Sequence, residues 1–256
     1  MLPAFRELHV LAVCAACLAA SAASMVVGAR LQRVRRVLAA VAALGAVGCV
    51  AWLWSVGASQ SGWPLSSGAE VVVISAAAAV LWHLLYARST NKAGEVVFHA
   101  LASGLLVWGA LRWPERLAPS LYDSGPQPWS FISRLLLALA CGAVVEAGSL
   151  ALVCLLVERR PAQQGAADHA PMAGGLLLVS FLLSTASLLA HAAGGLYARG
   201  IYWSWVQAES WMLALWLVLC ALWVGITMAA LPLQRLRGLT IACLVLVLLL
   251  FRSLGA

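Results

Sequence analysis

Gly200-Ile201-Tyr202-Trp203-Ser204-Trp205-Val206-Gln207-Ala208-Glu209-Ser210-Trp211 is a short polar break between two long apolar runs. It gathers three of the chain's twelve tryptophans and one carboxylate. The runs that flank it decide the fold. Each is long enough to cross a bilayer, which takes roughly 20 apolar residues in helical conformation. A segment in hydrocarbon must satisfy its own backbone hydrogen bonds, so the spans are helices.

The composition extends this reading to the whole chain. Of 256 residues, 64% are hydrophobic and 10% are charged, and the mean hydropathy is +0.96. Soluble domains hold about a quarter charged residues. A chain this apolar uses lipid as its solvent. Counting apolar runs predicts an all-α, polytopic membrane helical bundle of about eight transmembrane helices: 8–28, 37–58, 70–88, 96–112, 130–157, 174–197, 209–230 and 238–253. The tryptophan-rich break lies between the sixth and the seventh. Residues 1–256 form a single integral membrane domain. The first run is too long for the core of a signal peptide and is read as a span.

The net charge of +7 does not point to nucleic acid. Fifteen of the sixteen basic residues are Arg, and they cluster in the short breaks between runs. Ten basic residues, among them Arg30, Arg33, Arg35, Arg36, Arg159 and Arg160, fall on one side of the bundle and six on the other. Positive charge of this kind fixes orientation. The Arg-rich side is cytoplasmic, and the 200–208 break faces outward, to the periplasm of a bacterial inner membrane. Membrane lipid is therefore the first partner.

The seven Cys all lie within apolar runs, where a thiol behaves as a small hydrophobe. Cys14-Ala15-Ala16-Cys17 is followed by Leu18, so it is not the haem-attachment pattern C-x-x-C-H. Glu146 falls in mid-span, where an acid is costly and marks a functional site or a hydrogen-bonded neutral group. His83 and His99 fall near the cytoplasmic ends of successive spans, where they are either structural or ligands. No nucleophile-base pattern, phosphate-binding Gly loop or metal-ligand cluster indicates enzyme chemistry.

The stretch Gly-x-Tyr-Trp-Ser-Trp-x-x-x-Glu-Ser-Trp resembles the tryptophan-rich "WWD" motif of the cytochrome c assembly family of haem-handling membrane proteins, approximately W-G-x-Y-W-S-W-D-P-K-E-T-W. Gly200, Tyr202, Trp203, Ser204, Trp205, Glu209 and Trp211 match it, and Trp216 matches a Trp on the following helix. Pro64-Leu65-Ser66-Ser67-Gly68-Ala69-Glu70 is similar to the family's P-L-S-N-x-Y-E. The resemblance is strongest over residues 45–256.

That resemblance implies an outward platform that holds haem for presentation to apocytochrome c, in company with a periplasmic or membrane assembly partner. If active, the chain would be part of a cytochrome c synthetase-type system. Tyr202, Trp203, Trp205, Trp211 and Trp216 would form the apolar bed, with Glu209 orienting it. Axial ligands are usually His. Here the chain departs from the family: Ser133, Val224 and Arg252 stand where family histidines are expected, and Val206-Gln207-Ala208 replaces D-P-K. His191 and His9, both expected on the outward side, are the candidate substitutes. The alternative is a relative that binds no haem and acts as a membrane scaffold or accessory subunit. In that reading Arg134, Arg199 and Arg252 pair with Glu70 or Glu209.

Overall fold

A computed structural model describes residues 68–86, 92–112, 128–157, 170–228 and 233–254, with isolated positions between 37 and 48. The expected span 8–28, all but those isolated positions of the span 37–58, His9 and the breaks at 59–67, 113–127 and 158–169 lie outside the described residues. Among the described residues there are six helices and no strand. They are α1 (Gly68–Tyr86), α2 (Lys92–Arg112), α3 (Pro128–Val157), α4 (Ala170–Arg199), α5 (Gln207–Thr227) and α6 (Leu233–Ser253). All but α2 are long and apolar enough to cross a membrane. The apolar part of α2 is shorter, Val96–Gly109, than the 96–112 span expected for it.

The helices pack around α3, which meets α1, α2, α4 and α6, while α5 lies against α4 and α6. From Ala140 to Ala151 every residue of α3 is buried. Burial on all sides requires small side chains, because neighbouring backbones come close. Ala140, Gly142, Ala143, Ala147, Gly148, Ser149 and Ala151 supply them. Of the two α3 glycines, Gly142 has the closer neighbours. A Cβ there would lie 2.8 Å from Ala78 Cβ and Ala79 N, and 2.9 Å from the Ser75 carbonyl oxygen. At Gly148 the neighbour is the aliphatic side chain of Leu244, 3.1 Å away.

Few polar groups enter this interior, and those that do tie one helix to another. Ser180 Oγ donates to the Ala140 carbonyl at 3.0 Å, and Ser187 Oγ to the Ser133 carbonyl at 2.8 Å, fastening α4 to α3. Trp82 Nε1 donates to the Leu139 carbonyl at 3.3 Å, fastening α1 to α3. Such bonds between spans contribute about 0.6 kcal/mol each.

The contacts also sort the helix ends. Gly68 at the start of α1 touches Leu254 beyond α6, and Gly109 near the end of α2 touches Val73 and Ala69. Gly194 near the end of α4 touches Trp129 at the start of α3. One end of the bundle therefore gathers the starts of α1, α3 and α5 with the ends of α2, α4 and α6. The tryptophan-bearing break is at this end.

The Gly142 seam sets a stability expectation. Gly142→Ala pushes a methyl into the backbone of α1, and overpacking of this sort costs typically 1–3 kcal/mol. Gly148→Ala meets a side chain that can shift, and it gains about 1 kcal/mol of helix propensity. Thermal unfolding in detergent should therefore show a clearly lower midpoint for Gly142→Ala than for Gly148→Ala. Equal midpoints would remove the α1–α3 seam from its central place.

Candidate functional site

Residues 200–206 form the only non-helical link described between α4 and α5. Its geometry follows from local sequence. Gly200 has φ +70°, the left-handed conformation that ends many helices. Its N–H bonds to the Leu196 carbonyl at 2.9 Å, closing the last turn of α4. The link then folds back over that turn. A Cβ on Gly195 would sit 2.8 Å from the Ile201 carbonyl oxygen and 3.2 Å from that of Tyr202. The Gly194-Gly195 pair thus lets Trp129 press on α4 from one side and the link from another.

Val206 caps α5 with extended backbone and no side-chain hydrogen bond. The capping is done instead by Glu209, three residues into the helix and 2% exposed. It reaches back beyond the cap to Ser204. The Ser204 N–H donates to Oε2 at 2.8 Å and the Ser204 hydroxyl to Oε1 at 2.6 Å. His191 Nε2, from α4, lies 2.9 Å from Oε1. The Arg199 guanidinium is 3.7 Å from Oε1, and its other terminal nitrogen donates to Ser204 Oγ at 3.3 Å. A carboxylate in the first turn of a helix is also favoured by the helix dipole. Glu209 thus binds the link, the end of α4 and the start of α5 into one unit.

The aromatic side chains are arranged around this carboxylate. His191 meets Trp203 edge to face, with centroids 5.6 Å apart, and Trp203 meets Trp205 in the same manner at 6.3 Å. Trp205 has φ +58°, unusual for a side chain of this size. Such a conformation costs of order 1–3 kcal/mol and persists only where its surroundings hold it. The adjacent Ser204–Glu209 bonds do so. The result is that Trp205 is 72% exposed and Tyr202 64% exposed, beside exposed Ile201 and Tyr197. The indole N–H of Trp203 is buried, and no described residue accepts from it.

Of the residues singled out in the sequence, the structure brings together Trp203, Trp205, Glu209 and His191, with Tyr202 on the exposed rim. Trp211 is half-buried against the apolar core. Trp216 serves helix packing, its N–H donating to Thr185 Oγ1 at 2.9 Å and its ring stacked near Phe181. Of the pairs named for the scaffold alternative, Arg199 with Glu209 is seen at 3.7 Å. Ser133 is buried and hydrogen-bonded with Ser187, while Val224 is exposed. Sequence reasoning assigned no role of its own to Ser204. Its signal was the spacing Ser-x-x-x-x-Glu across a helix start, a stretched form of the capping box.

Among the described residues these features define an all-helical architecture, with five helices apolar enough to span a membrane and a polar clamp beneath exposed aromatic rings. No family model, curated protein or solved structure matches this chain. Among the described residues, no group of three or more His, Cys, Asp or Glu side chains is placed to hold a metal ion.

The clamp predicts a local effect. A hydrogen bond to a charged group contributes about 1.5–3 kcal/mol, and each 1.4 kcal/mol is a factor of ten. Glu209→Ala should accelerate hydrogen exchange at the Ser204 amide about ten- to a hundredfold, with the mid-helix amides of α3 unchanged. Unaltered Ser204 exchange would show that the link is held by something else.

Proposed function

We propose that this chain holds and presents haem in c-type cytochrome biogenesis, with the aromatic link at the outer face of a bacterial cytoplasmic membrane. The observation that carries this reading is the shared carboxylate of Glu209. It fixes the tryptophan link and the His191 ring to one anchor, so that an aromatic rim and an imidazole form one preorganised unit. A histidine backed by a carboxylate is the usual arrangement of a metal-bound imidazole. With Nε2 engaged by Glu209, the other ring nitrogen is the one left for iron.

The remaining residues fit a porphyrin. Exposed indole and phenol faces suit a flat apolar guest. The buried Trp203 N–H needs an acceptor, and the Arg199 guanidinium is partly exposed, so both suit the acidic groups on a porphyrin edge. When bound, haem supplies the iron and the vinyl groups that are joined to a cytochrome. The chain's own residues bind, orient and exclude water. In this reading eight spans cross the membrane. The ends of α4 and α6 and the start of α5 face the periplasm, since the Arg-rich breaks prefer the cytoplasm. A periplasmic or membrane assembly partner and apocytochrome c would meet the aromatic rim. His9 is the candidate for a second ligand.

A second reading is favoured by the three positions where the resemblance expects His. They hold Ser133, whose hydroxyl is occupied by Ser187, together with Val224 and Arg252. Here the link is an interaction surface on a haem-free scaffold or accessory subunit.

Purification in detergent from haem-replete cells separates the two. The first reading expects a Soret band and a pyridine haemochrome near one haem per chain, both lost in His191→Ala. Removing the carboxylate behind a metal-bound imidazole typically weakens the metal about ten- to a hundredfold, so Glu209→Ala should retain far less haem. Trp203→Ala with Trp205→Ala should lose haem while membrane insertion persists. A colourless protein that co-purifies with a membrane complex passes the site to the scaffold reading.

A further inference from the structure

A second histidine–carboxylate pair lies inside the bundle, away from the aromatic link. Glu146, fully buried in α3, has Oε1 3.0 Å from Nδ1 of His83 on α1. Counting from Pro128, it is 18 residues along α3 (146 − 128), or roughly 27 Å at 1.5 Å per residue. This places it toward the opposite end of the bundle. His83 is stacked on Phe98 of α2, with centroids 4.2 Å apart and planes within 7°. His99, also on α2 and buried, meets His83 edge to face at 5.3 Å. Ser149 Oγ donates to the Glu146 carbonyl at 2.7 Å and lies 3.5 Å from Oε2.

We propose that the His83–Glu146 pair, with His99 beside it, is an intramembrane proton-binding site. A lone ionised carboxylate within an apolar span costs several kcal/mol. A proton on Oε1, donated to Nδ1 of the neutral imidazole, makes the pair neutral as a whole. Loss of the proton leaves a buried negative charge, and gain of a second leaves a positive one. The binding step is the transfer of one proton from water to the pair, and its reversal returns it.

Among the described side chains, the titratable groups facing the pair are few. From α1 the site is faced by His83 and from α2 by His99. Its own helix adds Ser149, with the buried Cys141 and, two turns further on, Cys154. α4 carries no titratable side chain between Gly174 and Ser187. α6 comes against Gly148 through Leu244, with Cys243 next to it and Arg237 about two turns away. α5 packs on α4 and α6 instead of α3. Two helices therefore share one proton, and α2 sets His99 against the imidazole that holds it.

Infrared difference spectroscopy of the full-length protein in lipid nanodiscs, stepped in pH and repeated in heavy water, tests this. The expected result is a protonated-carboxyl C=O band that grows or fades with pH, shifts in heavy water and is absent from Glu146→Gln. His83→Asn should keep a Glu146 band but move its midpoint in pH. Should Glu146→Gln fail to elute as a single species, His83→Asn alone decides, since it leaves the acid in place. A band that ignores pH, fails to exchange, or survives Glu146→Gln overturns the proposal, as does a His83→Asn midpoint equal to that of the unaltered protein.

Discussion

Everything in this bundle depends on how close α1 and α3 are allowed to come. With no side chain at Gly142, the α3 backbone rests on Ser75, Ala78 and Ala79 of α1. Between apolar spans there is little hydrophobic gain from association, because lipid tails are as apolar as the side chains. Close van der Waals packing and interhelical hydrogen bonds must hold them instead. The small residues of α3 provide the first, and the Ser and Trp bonds to its carbonyls provide the second. The same seam brings His83 to the level of Glu146, one turn beyond Gly142. Moving α1 outward by the width of a methyl group would part that pair.

Helix existence was legible because it rests on local chemistry. Long apolar runs have few alternatives in lipid, so the spans at 70–88, 130–157, 174–197, 209–230 and 238–253 correspond to helices α1, α3, α4, α5 and α6 within a few residues. The break after α4 was legible for the same reason. Gly200 and the polar cluster around Ser204 interrupt an apolar pattern, and the chain stops being helical there. The motif resemblance gave Glu209 an orienting role, and the scaffold alternative paired Arg134, Arg199 and Arg252 with Glu70 or Glu209; the structure shows Arg199 beside Glu209.

What stayed hidden depends on distance along the chain. Glu146 and His83 are separated by 63 residues, so their pairing follows from the α1–α3 register and not from any motif. In the sequence His191 stands out only as a histidine on the outward side, whereas its bond to Glu209 depends on the link folding back across the Gly194-Gly195 turn. Trp216 shows the other side of this dependence on tertiary position. It matched the motif by spacing, yet it lies nine residues into α5 and its indole bonds to Thr185. A helix carries successive residues around its axis, so a match in sequence does not place two side chains on one surface.

The two histidine–carboxylate pairs share a chemistry and differ in their donors. Around Glu209 a backbone N–H, a hydroxyl, an imidazole and a guanidinium converge on two oxygens. Those donors answer most of what a carboxylate can accept, and the guanidinium offsets its charge locally. Such a shell makes Glu209 a fixed post, fit to hold a strained Trp205 in place. Around Glu146 there is one imidazole and a distant hydroxyl. A shell so thin does not neutralise a charge in an apolar interior, so the proton itself must take part. The number of donors that the surrounding helices can deliver thus separates a structural carboxylate from one that exchanges a proton, although both sit beside histidine.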